Sequence, residues 1–396
     1  MYSKKIAIKI KRSLHYLLAL FNCEISKKKK DTGLTKIVFF PFQYTYTCNP
    51  KYICEELLRR NKGWKIYWVV KNKQNSETVF PREINPVVFD TVEYYKAIIG
   101  SRILVANAFC FTKGLFSLRK GQYYLQTMHG SLGLKRIDSQ AVKNKRRNRK
   151  AQKDASLTSY IFSNSLFETE VYEQSFWKKE TILETGHARN DVFFWDEMRK
   201  EVIRNKVFDY YGLEKNRKLA LFAPTVRLAN EKYKTESLDF QMVVNSLEQK
   251  YGGKWIVLYR KHHSMKEENA SIPSFVINAN EYTDIQELMI AVDFAITDYS
   301  SWIFDYILSR KPGILYAPDL ENYDQQRGFY YPISEVPFPV VRSNKEFKEA
   351  VMSFDDTEYS IKTDIFMAKR GCIDDGKAAA RIVDMMETLD EQRVVH

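Results

Sequence analysis

From residue 36 onward, short apolar runs alternate with stretches whose apolar positions recur at helical spacing, the pattern of parallel sheets covered by helices. The fold class expected is therefore α/β. In the first half, strands are predicted at Lys36 to Phe42, Lys65 to Val70, Arg102 to Ala108, Tyr123 to His129 and Tyr160 to Asn164. After Gly186 the pattern restarts, with strands at Leu219 to Ala223, Trp255 to Tyr259, Phe275 to Asn278, Phe294 to Thr297 and Ile314 to Tyr316. Two similar halves emerge, and ligands of such sheets bind where strands end and helices begin. The division expected is a segment 1–33, a first α/β domain 34–190 and a second 191–396 that closes on a helix over Asp374 to Thr388.

Ahead of the first strand, Ile6, Ile10, Leu14, Leu17, Leu18, Phe21 and Ile25 recur at helical spacing between lysines. Residues 1–30 hold nine Lys or Arg against the single Glu24, so +8 of the net +13 sits there. A basic face beside an apolar stripe predicts a helix lying in an anionic membrane interface, in preference to a solvated tail. A second basic run, Lys143, Lys145, Arg146, Arg147, Arg149, Lys150 and Lys153, suits nucleic acid, headgroups or a phosphate-rich polymer as well as it suits a solvated helix. It lacks the interleaved aromatics that single-stranded nucleic acid would stack on, and no nucleic-acid partner is expected.

Length and composition narrow the class further. A chain of 396 residues, 44% apolar with 25 Tyr and 25 Phe, has material for two cores. The five cysteines, Cys23, Cys48, Cys54, Cys110 and Cys372, contain no C-x-x-C pair, which argues against a zinc site or a disulfide framework and for a reducing compartment. No apolar run reaches about 18 residues and no signal-peptide cleavage pattern is seen, so the chain is expected to be neither spanning nor secreted.

Candidate chemistry gathers at predicted strand ends. In Ala291 to Pro312 a buried strand runs into Thr297-Asp298-Tyr299-Ser300-Ser301, and the two serines are expected to open a helix ending before Pro312. Backbone N–H groups, the helix dipole and two hydroxyls there would make a phosphate site, although taken alone the serines are better accounted for by ordinary capping. Upstream, Thr283 or Asp284 caps a helix start, with Gln286 or Glu287 closing the box. The strand at Tyr123 ends in His129-Gly130-Ser131-Leu132-Gly133-Leu134-Lys135, where His129 suits a general base or a hydrogen-bonded structural histidine. Ala223 to Arg227 and Arg260-Lys261-His262-His263 bring cations to the same edge, matched to phosphate oxygens. Asp319, Tyr323, Arg327 and Gly328 follow the next strand.

Together these segments resemble the CDP-glycerol glycerophosphotransferase family, the enzymes that prime and polymerise teichoic acids. Its histidine-glycine motif is similar to His129 to Lys135, G-x-x-R-N-D to Gly186 to Asp191, A-P-T-x-R to Ala223 to Arg227, and R-x-H to Arg260 to His262. D-I-x-E-L, T-D-Y-S-S, D-x-E-x-Y, R-G-F-Y and D-G-x-A-x-x-R follow in order at Asp284, Thr297, Asp319, Arg327 and Asp375, so the resemblance spans about residues 120 to 385. Met128 stands where an aromatic usually precedes the motif histidine, Ser131-Leu132 where Thr-Pro is usual, and His263 where a Pro is usual.

The resemblance implies two Rossmann-like domains facing a cleft, the GT-B type, with the donor nucleotide in the second and the acceptor approaching from the first. It implies transfer of glycerol phosphate from CDP-glycerol to a hydroxyl of a lipid-linked glycan or of a teichoic-acid or capsule-like polymer, releasing CMP, at the cytoplasmic face of the membrane. His129 and His262 are the expected catalytic residues; Thr225, Arg227, Arg260, Thr297, Asp298, Ser300, Ser301 and Asp305 the donor side; Gly130 and Lys135 the acceptor side. Asp298 or Asp305 is expected to position the serine turn. No metal-ligand cluster is visible, and Mg²⁺ is optional. CDP-ribitol transfer, sugar-nucleotide transfer by the same architecture, and nucleic-acid binding are the competing readings.

Overall fold

A computed structural model describes residues 2–27, 35–72, 80–109, 117–130, 133–137, 140, 145–225, 237–261 and 273–392. Helix α1 (Tyr2–Lys27) precedes the first sheet. Then come β1 (Lys36–Phe40), α2 (Cys48–Arg60), β2 (Lys65–Val70), β3 (Ile84–Val88), α3 (Val92–Gly100), β4 (Ile103–Ala106), β5 (Tyr123–Gln126), α4 (Lys145–Leu157), β6 (Tyr160–Ser163), α5 (Leu166–Glu173) and β7 (Ile182–Glu184). After a 3₁₀ segment, Ala188–Phe194, the second unit runs α6 (Glu197–Tyr211), β8 (Lys218–Phe222), α7 (Phe240–Tyr251), β9 (Trp255–Tyr259), β10 (Val276–Asn278), α8 (Ile285–Ala291), β11 (Phe294–Thr297), α9 (Ile303–Tyr306) and β12 (Gly313–Tyr316). It ends with α10 (Leu320–Arg327), β13 (Val340–Val341), α11 (Asn344–Met352), α12 (Asp356–Lys369) and α13 (Ala378–Glu391).

Both sheets are wholly parallel in their described pairings, in the orders β3-β2-β1-β4-β5-β6-β7 and β10-β9-β8-β11-β12-β13. Each order reverses direction once, between β1 and β4 and between β8 and β11. These are the two Rossmann-like units expected, and each reversal opens a crevice at the carboxyl ends of its strands. Strands such as Lys36–Phe40 and Phe294–Thr297 are apolar on both faces because helices cover both. Side-chain caps start many of those helices: Thr91, Ser165, Asp196, Asp239, Asp284, Ser343 and Asp355 each accept a first-turn N–H.

The strands missed in the sequence are β3, β7 and β13, and all three lie at sheet edges. Pro86 interrupts the first, and the other two are three and two residues long, so little pattern marks them. Predicted strands also overran their carboxyl ends: β5 stops at Gln126, because Met128 takes a left-handed φ of 48°. The helix expected to open at Ser300 and Ser301 instead begins at Ile303, makes one turn and tightens into a 3₁₀ turn at Ile307–Ser309.

A continuous core joins the units, from Ile37 and Trp68 through Phe193 to Tyr299 and Met386. The terminal helix, expected with the second domain, lies against α2 of the first. Arg60 of α2 binds Asp384 at 2.6 Å and Glu387 at 3.1 Å, and Arg102 donates to the Leu389 carbonyl. At the opposite end, α1 packs on α3 through buried Ala19, an edge-on Tyr16–Tyr95 pair, and Arg12 and His15 on Asp90. Its other side leaves Ile10, Leu17 and Phe21 60% or more exposed.

Candidate active site

The first crevice is built by the turns that follow β1, β4 and β5. The imidazole of His129 places Nδ1 2.7 Å from the Asn107 carbonyl. A carbonyl only accepts, so Nδ1 carries the proton and Nε2 is the basic nitrogen of the neutral ring. Phe42 stacks on that ring at 5.3 Å and 4°, and the Asn107 side chain accepts the Phe42 N–H at 2.6 Å. Among the described residues, nothing lies within 4 Å of a Cβ built on Gly130. Of the seven non-glycine residues with positive φ among those described, Gln43, Tyr44, Cys48 and Met128 sit in these turns. Strain of this kind collects where geometry has been selected for chemistry.

The second crevice lies between the ends of β8 and β11. Asp298, 2% exposed, accepts the Thr225 N–H through both oxygens, at 2.8 and 3.0 Å, and the Tyr299 N–H at 2.5 Å. Thr297 donates its hydroxyl to the Ala223 carbonyl at 2.7 Å, and the Trp302 indole donates to the same oxygen at 2.9 Å. Thr225, Thr297 and Asp298 therefore form one knot that shapes the turn carrying half-buried Ser300 and Ser301. A single turn of α-helix has little macrodipole, so an anion here would rely on the hydroxyls and nearby N–H groups. Tyr299 leaves the turn to stack on Tyr323 at 4.0 Å and to donate to Asp319 at 2.9 Å.

Two expected donor contacts have other partners. Asp305 is 3% exposed and takes a forked pair from Arg189, Nε to Oδ2 at 2.9 Å and Nη2 to Oδ1 at 3.1 Å. Arg260 directs Nη1 to the carbonyls of Ala279 and Tyr282, and burial holds its guanidinium below the ordinary arginine range. Lys135 bridges Phe329 in antiparallel fashion, with Arg136 N–H on the Gly328 carbonyl and Tyr330 N–H on that of Leu134. The loop after His129 is thereby stitched to the second unit. Arg227 and His262, with Ser131 and Leu132, lie outside the described residues.

Sequence reasoning missed the residues that hold the units together. Lys51 of α2 reaches Asp284 at 2.6 Å and Glu287 at 2.8 Å, and Tyr52 adds a hydroxyl to Asp284. Asp284 caps α8 as expected, but Glu287 closes no box; it turns to Lys51, Lys206 and Tyr282. Burial opposes its ionisation, yet Lys51 and hydrogen bonds from Lys206, Lys51 and Tyr282 win and hold it at about 2. In Gly186 to Asp191, Arg189 grips Asp305, Asn190 binds Asp374, and Asp191 accepts the N–H groups of Ala378 and Ala379 at the start of α13. Burial pushes Asp191 up to about 7 despite those N–H groups. The arginine and asparagine of this motif are here joints between elements far apart in the chain.

The sheet orders, the paired crevices and the stitched loops define a two-Rossmann, GT-B-type protein. Residues 21–388 match the CDP-Glycerol:Poly(glycerophosphate) glycerophosphotransferase family, and the chain belongs to it. It is 28% identical over 357 residues to the teichoic acid poly(glycerol phosphate) polymerase of Bacillus subtilis, covering 86% of this chain and 46% of that protein. With the teichoic acid glycerol-phosphate transferase of Staphylococcus aureus it shares 28% over 352 residues, 85% and 88% of the two chains. The chain spans about half the length of the first of these relatives. Among solved structures, the wall teichoic acid polymerase TagF soaked with CDPG superposes with a TM-score of 0.81 at 27% identity, covering 99% of this chain and 97% of that one. The S. aureus MnaA–UDP structure, at 13% identity and a TM-score of 0.52, shares the fold.

Proposed function

We propose that this chain transfers glycerol phosphate from CDP-glycerol to a hydroxyl of a lipid-linked glycan or of a teichoic-acid or capsule-like polymer, with release of CMP. The observation that carries the reading is the pair of crevices, one holding a histidine of fixed tautomer, the other a hydroxyl-bearing turn, on a chain of this family. His129 Nε2 takes the proton of the acceptor hydroxyl. That oxygen attacks the glycerol-bearing phosphorus, and the bond from this phosphorus to the bridging oxygen breaks as CMP leaves with the electron pair. Ser300 and Ser301 receive the diphosphate, with Arg227 and His262 as its further contacts. Asp298 positions the turn rather than touching an anion. Catalysis is then charge stabilisation and positioning, with Mg²⁺ optional.

The acceptor meets the enzyme at the cytoplasmic face of the membrane, with α1 as the contact. Its exposed Ile10, Leu17 and Phe21 support this, as does its anchorage on α3, which ties any membrane contact to the catalytic body. No helix among the described residues is long and apolar enough to cross a membrane.

The test follows CMP release from purified protein offered CDP-glycerol, CDP-ribitol or a UDP-sugar, with and without lipid-linked acceptor. CDP-glycerol is the expected donor, and His129→Gln should lower kcat by a factor of about 10² to 10⁴ while donor binding survives. Preference for CDP-ribitol or a UDP-sugar would replace the donor assignment, and a variant with normal kcat would remove His129 as base. A steeply salt-dependent RNA or DNA shift without turnover would favour nucleic-acid binding.

A further inference from the structure

The residue on which both crevices converge is Asn49, in the first turn of α2 and 1% exposed. Its Nδ2 donates to the carbonyls of Thr127, at 2.9 Å, and Met128, at 3.2 Å. Its Oδ1 accepts the Arg189 N–H at 3.0 Å, so all three partners agree on one orientation of the amide. Met128 directly precedes His129 and holds a left-handed φ of 48°, a backbone state a side chain disfavours. Its N–H goes to the Gln126 side chain at 3.1 Å, so both polar groups of this peptide turn are fixed by side chains. On the other side, Arg189 is fully buried and carries its forked pair to Asp305, three residues beyond the Trp302 that ties down the serine turn.

We propose that Asn49 is a positioning residue that holds the Met128–His129 turn in its strained form and sets it in register, through Arg189 and Asp305, with the donor turn of the second unit. The inference rests on the phosphotransferase reading and adds to it the part that aims the base. Asn49 touches no reacting atom. Its amide supplies the donors that an out-of-favour backbone needs to persist, and its oxygen transmits the position of the second unit to that same backbone. Misplacement of a base by about 1 Å lowers turnover on the order of 10²-fold, so the effect should fall on kcat.

Asn49→Asp is the isosteric test: it keeps an oxygen for Arg189 and deletes both donors to the turn. In CMP release from CDP-glycerol, kcat should fall by about 10- to 100-fold with KM for CDP-glycerol as in the wild type. Adding Met128→Gly should restore most of the loss, because glycine takes positive φ without help. A merely structural asparagine would show no such rescue. Met128→Ile, which stiffens the same turn against positive φ, should lower kcat below that of Met128→Gly with Asn49 intact in both; this pair decides the matter if Asn49→Asp does not fold. Equal kcat for Asn49→Asp and wild type, a double variant no better than the single, or equal kcat for Met128→Ile and Met128→Gly overturns the proposal alone. A wild-type chain that releases no CMP overturns the phosphotransferase reading itself, and this inference with it.

Discussion

Replacing Lys51 by Met should loosen the joint between the two units by an amount that depends on pH in a defined direction. Lys51, Asp284 and Glu287 have side chains 9%, 3% and 8% exposed, and the ammonium is the cation both carboxylates share. Burial works against the charge of Lys51, but Asp284 and Glu287 outweigh it and hold its pKa above the ordinary lysine value. Removing one partner of a buried ionic group costs about 3–5 kcal/mol. Lys206 remains on Glu287 and the Tyr52 hydroxyl on Asp284, which places the loss near the lower end, about 3 kcal/mol. For a domain of this size that is a fall in Tm of about 6–12 °C.

The pH dependence follows from Glu287, held at about 2 against an ordinary 4.5. A depressed carboxylate contributes stability that is fully present above pH 4.5 and is lost as pH falls through 2. Lys51→Met forfeits most of that contribution, so the gap between variant and wild type should hold steady from neutral pH to about 5 and narrow below it. Thermal melts followed by circular dichroism across that range give the comparison. A gap under about 2 °C at neutral pH, or one unchanged down to about pH 3.5, would refute the account.

Two further expectations concern other parts of the molecule. Gly376 has a φ of +82°, and a Cβ there would meet the Phe194 Cβ at 2.6 Å, so Gly376→Ala should cost on the order of 1–3 kcal/mol in a melt while kcat below the transition is unchanged. On α1, Leu17→Ser with Phe21→Ser removes side chains 60% and 68% exposed; co-sedimentation with vesicles rich in anionic phospholipid should weaken by about tenfold or more, and undiminished binding would count against the membrane contact.

What could be read from the sequence, and what could not, divides along physical lines. Central strands such as Trp255–Tyr259 and Phe294–Thr297 announced themselves because both faces are largely buried and every position but Thr297 is apolar or aromatic. Edge strands did not, since one neighbour and a short span leave room for Pro86 or for two residues only. The turns bearing His129 and Ser300 were legible as polar residues at strand ends. Their shapes were not: Met128 is no turn former, and its left-handed backbone depends on Gln126 and on Asn49, which lies 79 residues away. The joints were the least legible part. Arg189 finds Asp305 across 116 residues and Lys51 finds Asp284 across 233, and no local periodicity marks either pair.

Helix α13 gives the chain an order of assembly. Its residues Ile382, Val383, Met386 and Leu389 are buried, and it lies on α2, whose Ile53, Cys54 and Leu57 are buried in turn. During synthesis at about 5–20 residues per second, α2 leaves the ribosome roughly 20–60 s before the helix that covers it. Once β7 has emerged, the first sheet is complete in sequence while α2 still lacks that cover, for about 10–40 s at the same rate. A chain truncated before Ala378 leaves α2 without its cover and should aggregate more readily than the full chain.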